Sequence, residues 1–123
     1  MTERPKPVPL LTIAERAEIS AAHERRVATL ENKLAARRLL VSTLKHQRHA
    51  AAIAFHADGD AKAGKLLTEI HLRQAALDNE IADITAALAE VRARQMRDAS
   101  RFQREPAASE ADRQTREMLC QEL

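Results

Sequence analysis

Apolar side chains recur along the second half of the chain in alternating three- and four-residue steps: Leu67, Ile70, Leu77, Ile81, Ile84, Leu88 and Val91, with Gln74 as the one polar member. The same steps continue through Gln95, Asp98 and Phe102. This rhythm is a heptad seam, the apolar stripe that one helix presents to another in a coiled coil. In the first half, Val27, Leu30, Leu34, Val41 and Leu44 follow the same rhythm, interrupted by Arg37 and continued by Arg48, Ala51 and Phe55. Two seams in one chain predict two long helices.

Their boundaries are readable from local chemistry. Pro5, Pro7 and Pro9 each remove a backbone donor and constrain the preceding residue, so residues 1–11 read as an extended, Pro-rich arm. Thr12 followed by Glu15 is a capping pattern, and neither Gly nor Pro occurs between there and His56. Gly59 is placed to take the left-handed conformation that stops a helix, and Asp60 to cap the next one. The second helix should run from Ala61 to Glu105, where Pro106 breaks it. Residues 12–105 thus predict a hairpin turning at 57–60, with each arm roughly 68 Å long at 1.5 Å per residue. In the tail, residues 106–123, Ser109 and Asp112 repeat the capping pattern and predict a short helix carrying Met118, Leu119 and Leu123.

Charge provides a second reading of the same arrangement. Folding the chain about the turn sets Lys33, Arg37, Arg38, Lys45 and Arg48 against Glu69, Asp78, Glu80 and Asp83. Farther from the turn the signs reverse, with Glu15, Glu18 and Glu24 set against Arg92, Arg94, Arg97, Arg101 and Arg104. Exposed pairs of this kind contribute only about 0 to 1 kcal/mol each, so they select an orientation more than they stabilise it. The pattern would serve equally for two continuous helices pairing between chains. The Asp58-Gly59-Asp60 stop and start favours the intramolecular hairpin.

Composition explains why the seams are narrow. Of the 123 residues, none is Trp or Tyr and only 2 are Phe, so bulky side chains for a thick core are nearly absent. The 20 basic and 18 acidic residues leave a formal charge of +2, which demands neither nucleic acid nor membrane as a partner. Cys120 is the one cysteine, compatible with a reducing compartment, and no apolar run reaches the ~20 residues of a membrane span. A cytoplasmic protein is expected. Apolar residues off the seams, including Ile19, Leu39, Leu40, Ile53, Leu66, Leu72 and Met96, exceed what scattered exposure explains. Leu39 and Ile53 lie two heptads apart and would line one outer face, so self-association into a helical bundle, at least a dimer, is expected.

Candidate chemistry is sparse. Gly59 to Lys65 has the G-x-x-x-x-G-K spacing of a phosphate-binding loop, but Leu66 stands where Ser or Thr would hold magnesium, and no strand precedes it. Counted from Asp58 as a calcium loop, the fifth position is Lys62, which cannot be a ligand. His46, His49 and His71 fall near one another on the hairpin and form a conceivable imidazole site, without a fixed fourth ligand. No cofactor, metal or catalytic residue is therefore assigned, and no enzyme is expected. The basic stretch from Lys33 to Arg48 is the feature a nucleic-acid partner would use, although aromatic stacking residues are missing beside it.

The portion GDAKAGKLLTEIHLRQAALDNEIADITAALAEVRAR resembles the alanine-rich coiled-coil segments of small uncharacterised bacterial proteins, often prophage-associated. The resemblance implies a bacterial accessory protein and no particular activity. The expectation is an all-α protein, a long antiparallel two-helix coiled-coil hairpin. It is expected to act as a self-associating scaffold or protein-interaction module, with a nucleic-acid-associated accessory protein as the alternative.

Overall fold

The computed structural model of the chain describes residues 10–121. Pro5, Pro7 and Pro9 of the expected arm, and Leu123 of the expected tail helix, lie outside the described residues. Three helices follow in order: α1 (Ile13–His56), α2 (Ala61–Arg104) and α3 (Glu110–Gln121). The protein is all-α, and α1 and α2, 44 residues each, pack together as a hairpin. Helix α1 begins one residue after Thr12 because Thr12 is its cap, and α2 ends one residue before Glu105.

The described residues fall into two compact units, one formed by Arg26–Val91 and the other by the described parts of Met1–Arg25 and Arg92–Leu123. In the first unit the heptad rhythm becomes burial. Leu34, Leu44, Ala51, Ala63, Ile70 and Leu88 are buried, while Val27, Leu30, Val41, Leu67, Leu77, Ile81, Ile84 and Val91 are half-buried. Leu44, Ala51 and Ile70 form a continuous cluster against which Leu67 and Leu77 pack. Ile70 retains only 2% of its surface, and removing a side chain of that size from water stabilises by roughly 1.5–3 kcal/mol. The polar interruptions of the two seams meet partners across the hairpin. Arg48 donates through Nη1 to Gln74 Oε1 at 2.9 Å, and Arg37 donates through Nε to Glu80 Oε1 at 2.9 Å.

Phe55 departs from the expected seam. The residue is 40% exposed; at the last turn of α1 its ring meets that of His56 edge-on, ring centroids 4.8 Å apart, and lies over Gly64.

The second unit is held by end chemistry as much as by packing. Thr12 N–H donates to Glu15 Oε1 at 2.9 Å, and Glu15 N–H donates to Thr12 Oγ1 at 3.1 Å, a reciprocal capping box at the start of α1. Ser109 and Asp112 repeat it at the start of α3, with distances of 3.1 and 3.2 Å. The Ala108 N–H donates to the Leu11 carbonyl at 2.8 Å, and Thr12 forms a parallel bridge with Ala108, so the segment entering α1 is paired with the one entering α3. Thr12, at 2% exposure, is buried.

Candidate functional site

The stretch with phosphate-loop spacing is a helix stop and start. Gly59 has φ of +69°, the left-handed region that an L residue rarely occupies. The Asp60 N–H reaches back to the Ala54 carbonyl at 3.0 Å, satisfying one of the orphan acceptors at the end of α1. Asp60 then caps α2, its Oδ1 accepting from the Lys62 N–H at 3.0 Å. The second glycine has a different reason. A Cβ on Gly64 would stand 2.6 Å from Phe55 Cε2, so the ring occupies the space a side chain would need. Both glycines are thus accounted for by helix ending and packing.

The histidines read from the sequence are scattered on the outside. His46, His49, His56 and His71 are all exposed, and among the described residues no group of three or more His, Cys, Asp or Glu is placed to hold a metal ion. The histidine that does enter the structure is His23, which the heptad rhythm reaches when its steps are continued back from Val27. Its Nε2 lies 2.7 Å from Asp98 Oδ2, with 7% of the His23 side chain and 32% of the Asp98 side chain exposed. Its Nδ1 is buried without a partner in the structure. A polar pair at facing seam positions penalises any register that separates the two.

Of the charge pairs expected across the turn, Arg37 with Glu80 forms, while Arg48 turns to the neutral Gln74. Glu15 is not matched to the arginines of α2. It accepts from Arg116 Nη2 at 3.0 Å and thereby ties α3 to the start of α1. The Thr12 backbone N–H above all, together with Arg116, holds the Glu15 carboxyl below its usual value of 4.5. Arg16 closes the far end of α2: Nη1 donates to the Phe102 carbonyl at 2.9 Å and Nη2 to the Glu105 carbonyl at 2.8 Å. Its guanidinium carbon also lies 5.0 Å from the centroid of the Phe102 ring, a cation–π contact. One arginine therefore satisfies two carbonyls that the helix end leaves open, and places positive charge at the negative end of the helix dipole.

The most distinctive surface is the side of α1 facing away from α2 in the Arg26–Val91 unit. Ala36, Leu39, Thr43, His46, Ala50 and Ile53 repeat in four- and three-residue steps and are all exposed, so they form a second seam that none of the described residues covers. Leu39 retains 70% and Ile53 64% of their surface. The Thr43 hydroxyl donates to the Leu39 carbonyl at 3.1 Å within its own helix, which uses its polar group locally. The flanking positions, Ala35, Ser42 and His49 on one side and Leu40, Gln47 and Ala54 on the other, add no Asp, Glu, Lys or Arg. Of the four such residues between Ala35 and Ala57, Arg37 and Arg48 are half-buried on the side toward α2, and Arg38 and Lys45 are exposed next to the Ser42 and His49 flank, outside the seam. An open groove of about 350 Å³ adjoins this face, lined by Leu40, Leu44, Arg73, Ala76, Leu77 and Glu80. Leu39 and Ile53 were legible as one outer face; the small residues between them and the absence of charge complete it.

No described helix is long and apolar enough to cross a membrane. Comparison of the chain with protein-family models, curated proteins and solved structures gives no significant match.

Proposed function

We propose that this protein is a non-enzymatic coiled-coil scaffold of the cytoplasm that self-associates, using its helical hairpin to present a helix-binding face. The observation that carries this reading is the second seam on α1, where Leu39 and Ile53 stand exposed on a helix side without Asp, Glu, Lys or Arg. Exposed apolar residues scattered singly are ordinary, but a repeated row at coiled-coil spacing fits the surface of another helix. The ion pair of Arg116 in the tail helix with Glu15 favours α1 over α3 as the binding surface in this reading. Sedimentation equilibrium across a wide concentration range tests the reading. Concentration-dependent dimers or larger species are expected, and a monomer at every concentration overturns self-association.

A nucleic-acid-associated role is the second reading, favoured by Lys33, Arg38 and Lys45, which remain exposed on α1. Retention of a random duplex at low salt that disappears in an Arg38→Glu, Lys45→Glu variant would support it, since phosphate contact is electrostatic and salt-dependent. Absence of retention at low salt removes it.

A further inference from the structure

The exposed seam of α1 has a size pattern as well as a polarity pattern. Its outermost positions, seven residues apart, carry the larger side chains Leu39, His46 and Ile53, and the intervening positions carry the smaller Ala36, Thr43 and Ala50. In a parallel pairing of identical helices, like positions meet: large would face large and small would face small, leaving alternate layers crowded and empty. In an antiparallel pairing the two kinds of position alternate across the interface. Turning a second copy end over end sets Leu39 against its Ala50, Ile53 against its Ala36 and His46 against its Thr43. Every layer then combines one large and one small residue, which is the condition for close helix approach and even filling.

We infer that two copies of this chain associate through antiparallel contact of their α1 outer faces, with Leu39 of each packed on Ala50 of the other and Ile53 on Ala36. This rests on the self-association proposed above and adds the surface, symmetry and register. The arrangement is isologous, as a two-fold dimer requires, because each layer recurs with the roles of the copies exchanged. Charge permits it. No Asp, Glu, Lys or Arg occupies the seam or its flanks from Ala35 to His56, so the two-fold brings no such like-charged pair together. Thr43 enters with its hydroxyl already bonded to the Leu39 carbonyl, so its burial leaves no orphan donor.

The face covers ~33 Å of helix, and two helices in contact over that length bury on the order of 1,000 Å² in total, at the lower end for specific association. A second copy also explains why this side lacks the charged residues that solubilise the outer side of α2, where Glu69, Asp83, Glu90 and Arg97 stand exposed.

The test uses the full chain with Cys120→Ser, leaving no native thiol, and introduces one cysteine at a time. Under mild oxidation, mixing the Leu39→Cys and Ala50→Cys proteins should give a disulfide-linked heterodimer, because facing seam positions fall within the Cα separation a disulfide spans. Each protein alone should give little linkage. Efficient linkage of Leu39→Cys with itself indicates a parallel pairing and overturns the register while leaving self-association standing. Dimers in sedimentation without any linkage in the mixture place the contact elsewhere and overturn the inference alone. A monomer at all concentrations overturns both. As an independent readout, Leu39→Glu with Ile53→Glu should weaken the dimer at least ~10-fold, with helicity by circular dichroism unchanged, since both side chains are exposed in the single chain. An unchanged dimer constant overturns the assignment of this face.

Discussion

The Phe55 ring lies over Gly64 so closely that a Cβ added there would be 2.6 Å from Cε2 and 2.7 Å from Cδ2. This contact sets the last turn of α1 on the first turn of α2. It predicts that the effect of Gly64→Ala changes sign with residue 55. In an otherwise wild-type chain, crowding against the ring costs about 1–3 kcal/mol and outweighs the helix-propensity gain of about 1 kcal/mol. In a Phe55→Ala background the crowding is gone, and the same substitution should stabilise by roughly 0.5–1 kcal/mol. A urea double-mutant cycle measures the difference; equal effects in both backgrounds would remove the ring as the reason for the glycine.

His23 and Asp98 form a polar pair at the seam. Replacing Asp98 by Ala strands a buried imidazole and should cost about 1–3 kcal/mol, whereas replacing both by Leu should be closer to neutral. Thermal unfolding of the single and double variants checks this; a double variant at least as damaged as the single one would show that the stranded imidazole is not the cause.

Arg16 holds the Phe102 and Glu105 carbonyls through two nitrogens of one guanidinium. Arg16→Met should lower stability by about 1–3 kcal/mol, the range for losing charge-assisted hydrogen bonds. Lysine should rescue little of it, because a single ammonium cannot reproduce the planar fork. Hydrogen exchange gives the location: amides in the last turns of α2 should lose protection, while those around Leu44 and Ile70 should not.

Glu15 caps α1 and holds Arg116 of α3, and the Thr12 N–H leads the interactions that keep its pKa below 4.5. A folded-state pKa below the unfolded one means stability that is present above about pH 4.5 and is lost as pH falls through the folded value. Asp112, held low chiefly by Ser109, acts in the same direction. Glu15→Gln should therefore flatten, without abolishing, the decline of the urea midpoint between neutral pH and pH 3. A profile identical to that of the wild type would show that Glu15 carries none of the acid sensitivity.

The long-range pairing of Arg16 with the end of α2 and of Arg116 with Glu15 could not be read locally, because each joins residues 86 to 101 positions apart. The charge rule set Glu15 against α2, yet α3 supplies its partner. Phe55 was placed in the seam by its spacing, but a seam position at the last turn of a helix has neighbours on one side only, and the ring takes the space that Gly64 leaves. His23 and Asp98 lay on the heptad rhythm, but a rhythm of positions does not say that an imidazole and a carboxylate will face each other.

What the sequence determined by itself is the all-α hairpin: the main seam along each arm, the ends of the two long helices to within a residue, and that an apolar row remains outside. Those properties follow from short-range rules, the repeat of the helix and the chemistry of caps and glycines, which need only neighbouring residues. Tertiary structure alone decided which polar groups meet, why Gly64 is a glycine and which side of α1 is covered by α2. Each of these depends on the distance between atoms far apart in the chain, and that distance exists only once the helices have packed.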